Sequence, residues 1–237
     1  MGPAGTQYTA IRRATLKDIN AIRELSRVAS RRLCMVDYTH EQVETALRYG
    51  AGIDQQVVAD GNHYVIESAT EGIIAGGGWS DRSPICSLSN GLLQSATSEP
   101  LNPEIDAARI RGFCVHPDHV RRGLGRALLG LCERKAAHAG FWRVELVATI
   151  TGRRLYLACG FGDVSAINHV FPNGVSAMMY RMSKVLDLPA GLAAAVARRF
   201  GQNGLDGLDG LDANSPPLGF EPPDVSMRPC TQSTPTG

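Results

Sequence analysis

Behind Thr15, apolar residues return at helical spacing in Leu16, Ile19, Ile22 and Leu25, and Asp18 follows the threonine three positions on in the manner of a capping box. This predicts a first helix over about 16–33. Thr39 and Gln42 repeat the capping arrangement and open a second helix that ends near Gly50. The pattern then changes period: "HYVIES" and "GIIAGGGWS" read as two strands with a turn around Thr70–Gly72, and a loop rich in Ser, Asn and Pro fills Asp81–Pro103. "ARIRGFCVHP", residues 108–117, is a strand stopped by proline, which has no N–H to give a ladder. "RGLGRALLGLCERKAAHAG" follows as a helix with Leu124, Leu128 and Leu131 on one face and Gly140 as its stop. "WRVELVAT" is a strand, "TGRRLYLACGF" a short helix ended at Gly160, and "VSAINHVFPNGVSAMMYRMSK" a hairpin about Asn173-Gly174. The expected order is α, α, β, β, β, α, β, α, β, β.

The pattern fails near residue 187. Downstream, "GLDGLDGLD" is a low-complexity repeat, and the prolines after it belong to a composition that cannot bury enough apolar surface to offset its ordering entropy. Residues 187–237 are therefore expected to be a disordered tail, with room for one short helix at 190–200 ("LAAAVARRF"). The aspartates of the repeat lack the glycine-turn and bidentate-Glu pattern of a calcium loop.

Composition adds little beyond exclusions. The chain has 237 residues, enough for one domain with extras, and its formal net charge is +1, which speaks against nucleic acid or an anionic membrane as partner. Six cysteines without CxxC spacing fit reduced thiols. The first residues lack an apolar signal region, and no run approaches the roughly 20 apolar residues of a membrane span. A soluble, cytoplasmic protein is expected.

The stretch "VRRGLGRALL", Val120–Leu129, carries the candidate chemistry. Glycines let a backbone approach an anion, and N–H groups at a helix start point at it with the helix dipole behind them. It is not a P-loop, because Gly125 is followed by Arg126 and Ala127 rather than Lys and Ser/Thr. Nor is it a dinucleotide fingerprint, because Leu128 stands where the third glycine belongs and a loop separates the pair from the strand.

In its setting the stretch resembles a known family. "VHPDHVRRGLGRALL" is similar to the acetyl-CoA motif of the GCN5-related N-acetyltransferase (GNAT) superfamily, Q/R-x-x-G-x-G/A, and "LYLACGF" to its Y-x-x-x-G-F segment. The resemblance covers about Ile11 to Lys184. It implies an α/β (α+β) fold over 1–186, with a central mixed sheet splayed between the strands at 108–116 and 142–149 and flanked by helices. In that fold pantetheine would lie along the first of these strands, past Phe113 and Val115, as a pseudo-strand. The pyrophosphate would meet the loop formed by Val120, Arg121, Arg122, Gly123, Leu124, Gly125 and Arg126. The main-chain N–H of Val115 would face the thioester oxygen, and Tyr156 would protonate the departing thiolate. Val120 occupies the Q/R position, so a side-chain contact to phosphate falls to Arg121 or Arg122.

The implied reaction is transfer of an acetyl group from acetyl-CoA, as cosubstrate, to a primary amine, most simply on a small molecule. An alkylammonium of pKa near 10.4 costs roughly 4.6 kcal/mol to deprotonate at pH 7, so a base or a water chain is needed. Family members often carry a carboxylate on or near the first splayed strand, where this chain has Arg109 and Arg111; Glu104, Asp106 and Asp81 are the nearest replacements. That departure keeps a second class open, a non-catalytic acyl-CoA-binding or regulatory module on the same fold. Neither class requires a nucleic acid or membrane partner, and a homodimer is compatible with both. No metal is expected: "HPDH" offers His116, Asp118 and His119, but proline breaks any helix that would bring the imidazoles together. Cys114 reads as packing rather than as a nucleophile, Trp79 and Trp142 as core, and "ERKAAH" as a solvated helix face.

Overall fold

The computed structural model describes residues 11–49, 53–83 and 99–187. The expected tail, the end of the second helix at Gly50 and most of the loop before Pro103 lie outside them. Seven strands form one sheet in the order β1-β2-β3-β4-β5-β7-β6: β1 Arg12–Arg13, β2 His63–Ser68, β3 Gly72–Ser80, β4 Ala108–Val115, β5 Arg143–Thr149, β6 Gly162–Val170 and β7 Ser176–Val185. The helices are α1 Ile19–Leu33, α2 His40–Tyr49, α3 Gln55–Ala59, α4 Leu124–His138 and α5 Ile150–Leu157. All neighbouring strands are antiparallel except β4 and β5, so the sheet is mixed.

Both anticipated capping arrangements form. The Asp18 carboxylate accepts from the Thr15 N–H at 2.7 Å and opens a 3-10 turn over Leu16–Asp18 before α1. The Thr39 N–H and hydroxyl exchange hydrogen bonds with Gln42 at 3.0 and 3.2 Å ahead of α2. Gly140 (φ +95°), Gly160 (φ +86°) and Gly174 (φ +82°) take the left-handed conformation that ends α4, closes the α5 turn and turns the β6–β7 hairpin. Two elements are additional to the expected order. The short β1 pairs with β2, and Arg12 binds both Asp18 (2.8 Å) and Glu67, which holds the Asp18 carboxyl well below the usual carboxylate range. The single turn of α3 is capped by Asp54, which accepts from Gln56 N–H at 3.0 Å.

Leu124, Leu128, Leu129, Cys132 and Ala136 of α4 pack on Ile74, Ala108, Ile110, Val144, Leu146 and Met182 from the sheet. Trp79, Trp142 and Phe141 are buried as well. Leu131, expected on the buried face, is only partly covered, and the turn over Ala136–Ala137 of "ERKAAH" is core rather than solvated, because the last turn of α4 lies flat on the sheet. The opposite face carries α1, whose Ile19 and Ile22 meet Val65, Ile53 and Val58. The four cysteines among the described residues are free thiols, and no helix there is long and apolar enough to cross a membrane.

Candidate active site

The site begins where the sheet comes apart. The parallel strands β4 and β5 pair only through Ala108 with Val144 and Arg109 with Glu145, although each continues well past that point. A bulge bends β4 away: Gly112 and Phe113 together oppose the single Gly77 of β3, and Gly112 has φ +64°. The glycine run of β3 makes room for this on both faces. A Cβ on Gly77 would lie 2.7 Å from the Phe113 ring, and on the other face the buried His63 ring would be 3.2 Å from a Cβ on Gly76 and 3.0 Å from one on Gly78. Larger residues at these positions would push out the two rings that bracket the bulge.

Beyond the bulge, β4 turns its hydrogen-bonding groups outward. His116 N–H donates to Ile74 O at 2.8 Å, and Ala75 opposes Val115. Because N–H groups alternate along an antiparallel ladder, the N–H of Val115 faces away from β3, into the opening toward β5.

At the mouth of the opening the chain makes a 3-10 turn over Pro117–His119, extends at Val120 and enters a left-handed pair. Arg121 has φ +63° and Gly123, the residue preceding α4, φ +81°. A non-glycine residue in this region costs about 1–2 kcal/mol, so Arg121 stores strain that the surrounding turn maintains. The first N–H groups of α4, at Leu124, Gly125 and Arg126, have no partner within the helix, and successive N–H groups in such a turn form an anion-binding concavity. A Cβ on Gly123 would meet nothing within 4 Å. The side chain of Arg126 turns away from this concavity and donates to Ala158 O at 3.1 Å, at the end of α5. That leaves its contribution to the loop to the backbone.

Tyr156 is 8% exposed and lies on α5 between Phe113 and Phe161, with ring centroids 6.3 and 5.6 Å away in edge-on contact. Burial drives its hydroxyl far above the usual phenol range, with Cys132, Cys114 and Cys159 contributing, so it carries its proton at neutral pH. Burial likewise pushes the Cys114 thiol up, which keeps it protonated and unfit as a nucleophile.

The closed end of the opening holds a carboxylate that sequence reasoning missed. Glu145 of β5, 3% exposed, is held by Arg109 at 2.9 Å, Arg181 at 2.7 Å and Arg143 at 3.5 Å. Burial lowers the Arg109 pKa, and Arg181 opposes it too, while Glu145 and Asp106 pull it back up. The signal was a lone acid in "RVELVAT", on the alternate positions to Val144, Leu146 and Ala148. The suggested replacements sit elsewhere: Asp106 accepts from Asn102 N–H at 2.8 Å in the loop before β4, Glu104 N–H is tied to Asn102 at 3.0 Å in the same loop, and Asp81 follows β3. On the α1 side, Tyr38 accepts from Ile150 N–H at 2.8 Å and donates to Met178 O at 2.6 Å. Gln42 donates to Ser176 O at 2.7 Å and Asn173 to Thr45 at 3.1 Å, so α2 and the β6–β7 hairpin meet as one wall.

The family model described as Acetyltransferase (GNAT) family matches residues 31–161, and these contain the bulged strand, the concavity and Tyr156. The chain belongs to the GNAT acetyltransferase family. A solved GCN5-related N-acetyltransferase from Rhodopseudomonas palustris is 19% identical over 78% of this chain and 100% of its own, with a TM-score of 0.55. The PaiA N-acetyltransferase of Thermoplasma acidophilum, solved with coenzyme A, is 13% identical over 76% and 99%, with a TM-score of 0.49. The ribosomal-protein-S18-alanine N-acetyltransferase of Escherichia coli is 15% identical over 78% and 97%, at 0.45. No curated protein sequence matches the chain. GNAT membership and the splayed sheet agree with the resemblance seen in the sequence motifs.

Proposed function

We propose that this GNAT protein transfers an acetyl group from acetyl-CoA to a primary amine of a small molecule by direct attack. The observation that carries the reading is the opening between β4 and β5, with the Val115 N–H turned into it, the concavity of residues 120–126 at its mouth and Tyr156 on its wall. Acetyl-CoA supplies the activated acyl carbon. Phe113 and Val115 line the path of pantetheine along the free edge of β4, and the backbone from Val120 to Arg126 holds the pyrophosphate. Nitrogen bonds to the acyl carbon as the carbon–sulfur bond breaks. The Val115 N–H stabilises charge developing on the acyl oxygen, and the Tyr156 hydroxyl gives its proton to the departing sulfur. The proton shed by the amine leaves through water, because positions 109 and 111 are arginines and Glu145 is already engaged by three guanidinium groups, that of Arg109 among them.

That last feature favours a second reading, acyl-CoA binding without turnover. The purified chain, given acetyl-CoA and a panel of primary amines, is assayed for free CoA thiol. Release above the acceptor-free rate with at least one amine is expected. Tight CoA binding with no release across the panel would overturn transfer and favour the binding module.

A further inference from the structure

The "HPDH" segment does what the sequence argued against. Pro117 stands at the first position of a 3-10 turn, where its missing N–H costs nothing. With three residues per turn, side chains three apart eclipse. His116, just ahead of the turn, and His119 at its end therefore lie on one side, with ring centroids 5.7 Å apart. A third donor arrives from the turn between β2 and β3, brought close by the bond from His116 N–H to Ile74 O. The Glu71 carboxylate oxygens are 3.1 and 3.2 Å from His119 Nε2.

We propose that Glu71, His116 and His119 form a binding site for a divalent transition-metal ion of the zinc class. One ligand atom from each residue lies within 4.8 Å of the others. Tetrahedral ligands at about 2.0–2.2 Å from zinc are roughly 3.4 Å apart, so the Glu71–His119 separation already fits and the His116 ring has at most about 1.4 Å to close. Two imidazoles and one carboxylate suit zinc and its neighbours and not magnesium or calcium, which want oxygen. His119 is 3% exposed and gives the site a fixed floor, whereas Glu71 is exposed and leaves an entry and a fourth position for water. His116 Nδ1 accepts from the Asp118 N–H at 3.4 Å, and Asp118 is itself held by Arg32 at 2.9 Å, so the segment that carries the ring is tied down. The ion rivets the β2–β3 turn to the segment that leads directly into Arg121. Its role is therefore to brace the loop, apart from the acyl chemistry.

The competing arrangement is a plain hydrogen bond between His119 and Glu71. Full-length protein stripped with chelator is titrated with Zn²⁺ by calorimetry and with Co²⁺ by absorption, and its melting temperature is followed. Expected are one ion per chain, cobalt bands of a nitrogen and oxygen site without thiolate charge transfer, and a raised melting temperature. Glu71→Gln keeps a hydrogen-bond acceptor for His119 but ligates poorly. It and His116→Ala should each weaken binding about tenfold or more and leave the melting temperature of the metal-free protein unchanged. No saturable binding, a thiolate band that traces the ion to cysteine, or either variant binding as the unaltered chain does overturns the site. None of these readouts depends on acetyl transfer.

Discussion

Burial acts on Tyr156 and His63 in opposite senses, keeping the first protonated and the second unprotonated. Tyr156→Phe preserves the ring and its edge-on contacts with Phe113 and Phe161. If the hydroxyl serves as the acid, kcat should fall by roughly 10²- to 10⁴-fold with acetyl-CoA affinity nearly unchanged. Turnover, calorimetry and melting on the same variant check this, and full activity would sink the acid role. His63 has its pKa pushed down from 6.5 to about 4 by burial. The native ring stays neutral between those values while the unfolded chain takes up a proton, so stability is lost as pH falls from about 6.5 toward 4, by roughly 1.4 kcal/mol per unit. Denaturant unfolding across that range should show the slope. His63→Leu, whatever its absolute stability, should flatten it, and an unchanged slope would assign the acid limb to other groups. Tyr156 stood out in the sequence as a candidate because its motif is local. His63 and Glu145 did not, because the glycines around the first and the Arg109 and Arg181 that clasp the second come from other strands.

At the level of elements, caps and stops behaved as local chemistry should, since Thr15, Thr39, Gly140 and Gly174 act within a few residues of themselves. The bulge did not, because "RGFCV" and "GGGWS" both read as regular strands until they are laid side by side. The concavity before α4 offers a test of this scale. Gly123→Ala forces a side chain into φ +81° without a clash, so about 1–2 kcal/mol of strain should lower the melting temperature by a few degrees. If pyrophosphate rests there, CoA affinity falls as well, tenfold for each 1.4 kcal/mol of lost contact. A variant that melts lower yet binds CoA as before would place the phosphates elsewhere.

For the whole molecule, the composition of the tail and the packing of the last strand define where the chain can be cut. Ending it at Phe200 should leave CoA affinity and melting temperature unchanged, since the composition of the removed residues offers little apolar surface to bury. Ending it at Lys184 instead removes Leu186, which is buried and whose N–H donates to Trp142 O at 2.9 Å. That shorter chain should melt lower by the worth of a buried leucine, about 2–5 kcal/mol when truncated. Equal melting of the two would contradict the docking of Leu186. By itself the sequence determined the periodic helices, the hairpin, the glycine loop and the family, because spacing, capping and turn chemistry act over a few residues. Only the tertiary structure decided that β4 bulges away from β5, that Glu145 is clasped by three arginines and that Glu71 joins His116 and His119. Each of these depends on strand register and on side chains far apart in the chain, which no local pattern specifies.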